Sequence, residues 1–285
     1  MAKMESLLRD GGLHCHVRYT EHEGHGLELA RRGVSEGYGA IVAVGGDGTV
    51  NEVVNAAVGS ETAVAALPLG AGNDFLRSLD IWSWQEACHA LTSGAVRTID
   101  LGLAECQGED GARVQRYYAV VADVGFGTEV VRNTPRRFRH ALGGGLGYVV
   151  SLYRTAVQGH GRACRMKVSV DGQVRFDEKL LLVETLNGMY AGGGLKVAPL
   201  AEMNDAALDV FLVRDMSWPK IWALFPKIYR GTHIEHEKGE YFQVGQVAVE
   251  TEKSVWISVD GEVIGHTPAR FSVVPGALKV RCPDR

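Results

Sequence analysis

The 285-residue chain lacks several features that would assign it to a particular class of protein. No apolar run approaches the roughly 18 residues of a membrane-spanning helix. The five cysteines are odd in number and never spaced as Cys-x-x-Cys, which argues against a disulfide framework or a zinc site. The net charge of −4 lacks the basic excess typical of nucleic-acid-binding proteins. We therefore expect a cytoplasmic globular protein with reduced cysteines and no nucleic-acid partner.

The most informative stretch reads IVAVGGDGTVNE and spans residues 41–52. Its apolar start predicts a strand buried on both faces, and the pattern after the glycines predicts a helix that begins near Thr49. Gly45, Gly46 and Gly48 allow a tight turn that approaches a ligand closely, and the N-terminus of the helix favours phosphate. Asp47 is either a turn-former or a charged group that faces this ligand. Many α/β proteins reverse the chain with such a turn, so it is weak evidence alone.

A second glycine-rich turn follows the next apolar run. Residues 63–67 predict another buried strand, and PLGAGNDF at residues 68–75 predicts a turn into a helix. Two such turns on consecutive parallel strands lie side by side at the carboxyl edge of a sheet, where open α/β folds bind their ligands. The pair of turns is therefore more specific than either turn alone.

The rest of the chain predicts a change of architecture near residue 94. Before it, residues 13–19 alternate as a strand would, and residues 24–36 and 83–92 have helical periodicity. After it, strands dominate. The predicted strands are residues 97–104, 114–122, 164–170, 176–186, 207–213, 242–250, 255–259, 269–274 and 278–282, and the predicted helices are residues 146–158 and 218–229.

Three motifs in order carry a family resemblance: GGDGTVNEVVNA, PLGAGNDFLR and, at residues 258–262, SVDGE. The chain resembles the diacylglycerol kinase catalytic-domain family from about residue 12 to residue 283. That family includes bacterial soluble lipid kinases and sphingosine and ceramide kinases, and it is related in fold to NAD kinases. The resemblance implies an α/β nucleotide-binding domain with a parallel sheet at residues 1–94. It also implies a C-terminal β-sandwich domain for the lipid substrate at residues 95–285, with the active site between the two.

One part of the family pattern is missing. The central first strand and its Asn-Pro-x-Ser/Ala-Gly phosphate loop have no counterpart here, and residues 3–10 match only the tail of the helix that follows them. A doubly wound sheet without this strand leaves a gap in its hydrogen-bond ladder. We therefore expect the natural reading frame to begin upstream of Met1.

The resemblance implies ATP and Mg²⁺ as cofactors and assigns a set of nucleotide-binding positions. Ala71 stands where family members commonly have a threonine whose hydroxyl contacts the nucleotide, so one contact worth about 0.5–1.5 kcal/mol is absent. Without the resemblance, Thr20 reads as a turn residue at the end of a strand. The nucleotide-binding positions are Thr20, Gly45, Gly46, Asp47, Gly48, Thr49, Asn51, Gly70, Ala71, Asn73, Asp74 and Glu262.

The late Asp260-Gly261-Glu262 sequence has two interpretations. Between apolar segments, Asp-Gly is a strong signal for a type I′ hairpin turn. The resemblance instead makes Asp260 the general base for the lipid hydroxyl and makes Glu262 a contact to the nucleotide or its magnesium.

An acidic segment at residues 202–209 resembles the structural magnesium site of the family. Glu202, Asp205 and the carbonyl of Ala207 are the candidate ligands, because hard cations prefer oxygen. The usual Asp-Asp-Gly reads Asn204-Asp205-Ala206 here, which removes one formal charge. A solvated acidic turn remains the alternative.

The implied activity is an ATP-dependent phosphorylation of a hydroxyl of diacylglycerol or a similar lipid, which gives phosphatidic acid or its analogue. A sphingoid or other lipid alcohol is an alternative acceptor, and NAD kinase activity fits the Gly70–Asp74 loop and the Asp-Gly-Glu sequence less well. The alternative from a different class is a catalytically impaired nucleotide- or lipid-binding protein, because Ala71, Asn204, Ala206 and the missing first strand depart from the pattern, whereas the retained Asp47 and Asp260 oppose it.

A lipid kinase without a membrane span must meet the lipid at the membrane surface. We expect peripheral contact at the inner membrane face through the basic cluster Arg132, Arg136, Arg137 and Arg139. The Trp-rich residues 218–229 are expected to pack in the core. A homodimer is an open alternative.

Overall fold

The computed structural model describes residues 11–134, 144–158 and 162–284. Seven helices are described: α1 (His25–Ser35), α2 (Asp47–Ala57), α3 (Asp74–Ser78), α4 (Trp84–Ser93), α5 (Phe126–Arg132), α6 (Gly144–Val157) and α7 (Trp218–Arg230). The twelve described strands are β1 (Ala40–Gly45), β2 (Ala63–Pro68), β3 (Ala95–Gln107), β4 (Arg113–Tyr118), β5 (Val121–Gly125), β6 (Cys164–Val170), β7 (Gln173–Leu186), β8 (Leu208–Arg214), β9 (Gly239–Val244), β10 (Gln246–Thr251), β11 (Trp256–Val259) and β12 (Glu262–Cys282).

The N-terminal part contains two strand–turn–helix units. β1 and β2 pair in parallel, with Ala40 opposite Ala63 and Gly45 opposite Pro68, so both glycine turns leave the same edge of the sheet. The end of β12 pairs in parallel with the other side of β2. Among the described strands, β1 has no partner on its outer side. α2 begins at Asp47, two residues before the predicted start.

The C-terminal part is dominated by antiparallel pairing. The main path of the sheet runs β1-β2-β12-β10-β6-β7-β5-β11, with β3 joining β12 to β4 and β8 joining β7 to β9. Two buried hydrophobic clusters result. One packs the N-terminal helices, β1 and β2 together with α5 and α6, and the other fills the space among the antiparallel strands.

Three predicted strand boundaries are wrong. The separate strands at residues 269–274 and 278–282 belong to the 21-residue β12, which stays paired with β3 through two register irregularities. The single strand at residues 114–122 divides into β4 and β5, because the N–H groups of Ala119 and Val120 bond to the Asp260 carboxylate instead of to a strand. The strand at residues 242–250 divides at Gly245, where the chain passes from β8 to new partners.

The predicted strand at residues 13–19 does not form. Its alternating apolar residues do not define a buried face: Cys15 is exposed and the Tyr19 side chain is 70% exposed. A strand requires both a hydrogen-bond partner and a face to bury, and this segment has neither among the described residues. The helix predicted for residues 3–10 lies outside the described residues.

The described segments include no helix that is both long enough and apolar enough to cross a bilayer. The domain boundary near residue 94 stays a prediction. The return of β12 to β2 means that the end of the chain joins the N-terminal sheet.

Candidate active site

A cleft of about 570 Å³ lies where the two glycine turns face β5, the β11–β12 hairpin and a third glycine loop at residues 192–194. Most of the positions assigned from the sequence reach it. The assigned residues that line the cleft are Thr20, Gly46, Asp47, Gly48, Thr49, Ala71, Asp74, Asp260 and Glu262. Gly45, Asn51, Gly70 and Asn73 are not part of the lining and support those residues from behind.

The two glycine turns touch each other through their backbones. A Cβ atom built on Gly70 would lie 2.4 Å from the Cα of Gly46, so a side chain at Gly70 cannot be accommodated without separating the turns. Asn73 closes its own turn: its Oδ1 accepts the N–H of Gly70 at 3.1 Å and its Nδ2 donates to the Gly70 carbonyl at 2.9 Å. Asn73 adopts the left-handed backbone conformation, φ 55°, that asparagine tolerates.

Asp47 joins the first turn to the second. Its carboxylate accepts the backbone N–H groups of Asn73 at 3.1 Å and Asp74 at 2.9 Å, at the start of α3. Burial raises the pKa of Asp47 first, and repulsion by Asp260 raises it further. The first glycine turn is therefore fixed to the N-terminus of α3 through the buried carboxylate of Asp47.

Asp74 joins the second turn to the third glycine loop. Its two oxygens accept the N–H groups of Gly193 at 2.8 Å and Gly194 at 2.7 Å. Both glycines have left-handed φ values of 87° and 100°, which other residues rarely adopt. Burial, and then repulsion by Asp47, raise the pKa of Asp74 to about 7. The sequence predicted Asp74 in the site but did not indicate that it holds this loop.

Asp260 occupies the turn between β11 and β12 with a φ of 45°. Its carboxylate accepts four hydrogen bonds, from the side chain of Asn51 at 2.8 Å and from the N–H groups of Ala119, Val120 and Val121 at 2.9–3.1 Å. Burial raises the pKa of Asp260 although these donors oppose the rise. Asp260 is therefore a residue of the hairpin turn that also borders the cleft, and its role as general base stays a prediction.

An asparagine–arginine network extends from Asp260 to Glu262. Asn51 accepts a hydrogen bond from the Nε of Arg116 at 3.0 Å, and Arg116 forms an ion pair with Glu262 at 3.0 Å. Asn55 donates to the carbonyl of Tyr117 at 2.9 Å and so fixes β4 against α2. Sequence reasoning missed Arg116 and Asn55, because only the folding of β4 over α2 brings them to the site.

Two further carboxyl groups at the cleft were also missed. Asp123 and Glu184 are buried directly opposite each other on the antiparallel strands β5 and β7. Burial raises the pKa of Asp123 to about 6 and the pKa of Glu184 well above its ordinary value, where repulsion by Asp123 adds to the effect of burial. The Ser258 hydroxyl lies 3.2 Å from Asp123. The sequence signal for this pair was an acidic residue within an apolar stretch: Asp123 lies in the apolar β5, and Glu184 follows the apolar residues 180–183 of β7.

The predicted structural magnesium ligands lie outside the lining of the cleft. Asp205 accepts the N–H of Ala207 at 3.0 Å and the side chain of Gln243 at 2.9 Å. Repulsion by Asp205 and Glu202 contributes to the raised pKa of Asp209, for which burial is the larger cause, so an acidic neighbourhood exists there. The assignment of Glu202, Asp205 and Ala207 to a metal stays a prediction.

One group of three potential metal ligands with closely spaced ligand atoms, His22, His25 and Glu28, occurs among the described residues. The Nδ1 of His25 accepts the N–H of Glu21, which leaves the proton of a neutral ring on Nε2 and makes that atom unsuitable for a metal. Of the basic cluster, Arg136, Arg137 and Arg139 lie outside the described residues. Arg132 forms an ion pair with Glu129 and covers the ring of Trp256.

Comparison with known proteins identifies the family. Residues 1–104 match the diacylglycerol kinase catalytic domain, and residues 122–282 match the YegS C-terminal NAD kinase beta sandwich-like domain. A protein of Chromohalobacter salexigens named "Probable lipid kinase YegS-like" is 31% identical, over 97% of this chain and 86% of that protein. The chain belongs to the diacylglycerol kinase catalytic-domain family. It is thus a two-part member of a lipid kinase family, and the family implies ATP use.

Two further proteins and one solved structure are similar to this chain at lower sequence identity. Proteins named "Diacylglycerol kinase" from Mycobacterium tuberculosis and Bacillus subtilis are 29% and 26% identical, over 90% and 95% of the chain and 80% and 86% of those proteins. A crystal structure of a diacylglycerol kinase from Bacillus anthracis superposes with a TM-score of 0.69 at 20% identity, covering 96% of this chain and 87% of that one. At that identity the structural likeness supports the fold alone.

Proposed function

We propose that the chain transfers the γ-phosphoryl group of ATP to a hydroxyl of diacylglycerol or a similar lipid, giving phosphatidic acid or its analogue. The observation that carries the proposal is a single cleft with two kinds of lining. Backbone turns and three aspartates, Asp47, Asp74 and Asp260, form the polar part, and Phe75 and Leu195 are among the apolar side chains of the remainder. Phosphoryl transfer needs positioning and charge stabilisation more than covalent chemistry, which suits this lining.

The glycine turns are the proposed site of the phosphates. The N-terminus of α2 borders the cleft and has no side-chain cap, and a helix N-terminus favours anions. Thr20 and Thr49 supply hydroxyl groups at the lining. Ala71 lines the cleft without a hydroxyl, which supports weaker nucleotide binding than a threonine at that position would give.

The aspartates support Mg²⁺ as the partner of the nucleotide. Asp47 raises the pKa of Asp74, and Asp260 raises the pKa of Asp47, so the three carboxylates repel one another in a desolvated site. A hard divalent cation relieves such repulsion and prefers oxygen ligands. When bound, it would neutralise charge on the phosphates. Asp47 and Asp74 would hold it, directly or through water.

Asp260 is the proposed general base for the lipid hydroxyl. Its raised pKa makes it a stronger base than an exposed aspartate, and it borders the cleft. Its oxygens already accept four hydrogen bonds, so it must exchange one donor when it takes the proton. Asn51 is the exchangeable donor because the other three belong to the backbone. Glu262 is the competing candidate base because it borders the same cleft, although its ion pair with Arg116 weakens it as a base.

The acceptor is proposed to enter through the apolar part of the cleft from the inner face of a membrane. An apolar lining accommodates sphingoid and other lipid alcohols as well as diacylglycerol, so acceptor choice is a matter for assay. The catalytically impaired binding protein is the second function, supported by Ala71 and by the saturated carboxylate of Asp260. Retention of the aspartates favours the kinase.

The test is transfer of labelled γ-phosphate from ATP to a panel of lipid alcohols in mixed micelles with Mg²⁺. Asp260→Asn should retain ATP binding and lose roughly 10²–10⁴-fold in transfer rate, as removal of a general base does. Glu262→Gln is the matched comparison, since it removes one carboxylate from the same hairpin. Full activity of Asp260→Asn together with loss in Glu262→Gln would assign the base to Glu262. A wild-type chain that binds ATP and phosphorylates no lipid would favour the binding protein.

A further inference from the structure

A pair of buried carboxyl groups lines the cleft and takes no part in the proposed phosphoryl transfer. Asp123 on β5 and Glu184 on β7 are only 7% and 8% exposed, yet both border the cleft. On β5, Val121 and Asp123 face the cleft, whereas Ala122 and Val124 pack into the cluster among the antiparallel strands. Asp123 therefore interrupts an apolar face that the fold directs into the cleft.

The pair holds one proton and one negative charge at neutral pH. Burial, and then repulsion by Asp123, raise the pKa of Glu184 well above its ordinary value, whereas burial raises the pKa of Asp123 only to about 6. Glu184 therefore keeps its proton and donates it to Asp123, which stays ionised. Among the described residues the cleft lining contains no lysine or arginine, so no cationic side chain of the lining neutralises this charge.

The hydrogen-bonding capacity of the pair is mostly unused. Among the described residues, Asp123 accepts a hydrogen bond only from Glu184 and from the Ser258 hydroxyl at 3.2 Å, and no group donates to Glu184. An ionised carboxylate offers about four acceptor sites, all of which are filled in Asp260. Buried acceptor sites without a donor are costly, and a ligand in the cleft is the group that can fill them.

The pair lies within the length of a lipid head group of Asp260. Asp260 accepts the N–H of Val121 at 3.1 Å, and Asp123 stands two residues further along β5, about 7 Å away on the same face. The charge of Asp260 is close enough to contribute to the raised pKa of Asp123. An acceptor whose reacting hydroxyl meets Asp260 would therefore bring the group on its neighbouring carbon atom towards Asp123.

We propose that Asp123 and Glu184 select acceptors whose head carries a second hydrogen-bond donor, a hydroxyl or an ammonium group, beside the hydroxyl that is phosphorylated. This inference rests on the proposed lipid kinase function. The second donor fills an empty acceptor site of Asp123, and a hydrogen bond to an ionised group in a desolvated site is stronger than one between neutral groups. 1-Acylglycerols and long-chain 2-amino alcohols have such a donor. Diacylglycerol has none, because its one hydroxyl is the reacting group.

The test compares kcat/KM for three short-chain acceptors dispersed as monomers: a 1-acylglycerol, a 2-amino alcohol and a 1,2-diacylglycerol. Wild type should favour one or both of the first two over the third roughly 10–100-fold, as one hydrogen bond to a charged group does. Preference for the amino alcohol alone would support the proposal with an ammonium as the second donor, and preference for the 1-acylglycerol would support it with a hydroxyl. Equal kcat/KM for all three acceptors would overturn it.

Three variants assign the preference to the pair. Asp123→Asn keeps the shape of the side chain and removes the charge, so the preference should almost disappear, and an unchanged preference would overturn the proposal. Glu184→Gln leaves the charge of Asp123 in place and should keep more of the preference than Asp123→Asn, whereas the reverse order would contradict the role given to Asp123. Asp177→Asn, at the exposed end of β7, removes the same charge away from the cleft and should match wild type.

Binding measurements separate this proposal from the proposed function. Calorimetric titration with the same three acceptors requires no phosphoryl transfer. If wild type phosphorylates none of them yet binds the 1-acylglycerol or the amino alcohol more tightly than diacylglycerol, and Asp123→Asn removes the difference, the kinase function fails and the recognition stands. If wild type phosphorylates diacylglycerol as efficiently as the other two, the kinase function stands and the recognition fails.

Discussion

Substitution of Gly70 tests whether the contact between the two glycine turns builds the nucleotide site. In Gly70→Ala, the new methyl group would lie 2.4 Å from the Cα of Gly46 and 3.3 Å from its nitrogen. Carbon atoms pack at about 3.5–4.0 Å, so the turns must separate by at least about 1 Å. The two Gly46 atoms belong to the backbone and cannot rotate away as a flexible side chain would, and the Oδ1 of Asn73 is a further contact at 3.0 Å. The φ of Gly70 is not in the left-handed region, so the effect comes from this contact and not from backbone strain.

Two consequences follow from a displacement of that size. Overpacking of this kind costs about 1–3 kcal/mol of the free energy of unfolding. A 1 Å misplacement of groups that position the substrate costs on the order of 10²-fold in kcat/KM, which corresponds to about 2.7 kcal/mol of transition-state stabilisation. Gly70→Ala should therefore show a raised KM for ATP and a lowered kcat/KM, together with a moderately lowered midpoint of urea unfolding.

Gly39→Ala is the matched control for these measurements. Gly39 precedes β1, its added methyl would have no atom within 4 Å, and its φ is also outside the left-handed region. Gly39→Ala should have the same ATP affinity by calorimetry, the same kcat/KM and the same midpoint of urea unfolding as wild type. If Gly70→Ala matched Gly39→Ala in ATP affinity and kcat/KM, the idea that the turn contact shapes the phosphate site would be refuted.

Two further predictions concern buried polar groups. Asn51→Ala should lower the free energy of unfolding in urea by about 2–3 kcal/mol, because the Asp260 carboxylate and the Arg116 Nε both lose a hydrogen-bond partner in a desolvated site. A loss of stability no larger than that of an exposed substitution would contradict this prediction. Between pH 4 and 7 the thermal midpoint without ligand should fall as pH rises, because Asp74, with its pKa raised to about 7, binds more protons in the folded than in the unfolded chain. Asp74→Asn should flatten this slope in differential scanning fluorimetry, and an unchanged slope would show that other groups cause it.

Much of the local structure was predictable from the sequence. The strand–turn–helix units at β1–α2 and β2–α3 depend on short-range signals, namely an apolar run and glycines followed by a helical pattern. Ser83 accepts the N–H of Glu86 and caps α4, as the sequence predicts for a helix start. These features form wherever the local pattern allows, so their positions needed no tertiary information. The prediction of a strand at residues 13–19 was wrong, because alternation of apolar and polar residues does not by itself supply a neighbouring strand to pair with.

The site residues found by motif and those missed differ in how far apart in sequence their partners lie. Asp47 and Asp74 belong to the turns that define the motifs. Asp260 receives its N–H donors from Ala119, Val120 and Val121, about 140 residues earlier in the chain. The same bonds interrupt the strand predicted across residues 114–122. The local sequence around residues 114–122 could not show that the distant Asp260 carboxylate takes backbone N–H groups that a neighbouring strand would otherwise bond.

By itself, the sequence determined which residues of this protein turn, which helices follow, and which carboxylates stand in the glycine-rich motifs, because those properties depend on neighbours within a few residues. The sequence also predicted that the two glycine turns lie side by side, but only the tertiary structure brought Gly70 against the Cα of Gly46 and placed Asp123 opposite Glu184. It also decided that α6 and α7 bring their aromatic rings together. Such contacts depend on strand order and register, which the whole chain sets through burial of its common core.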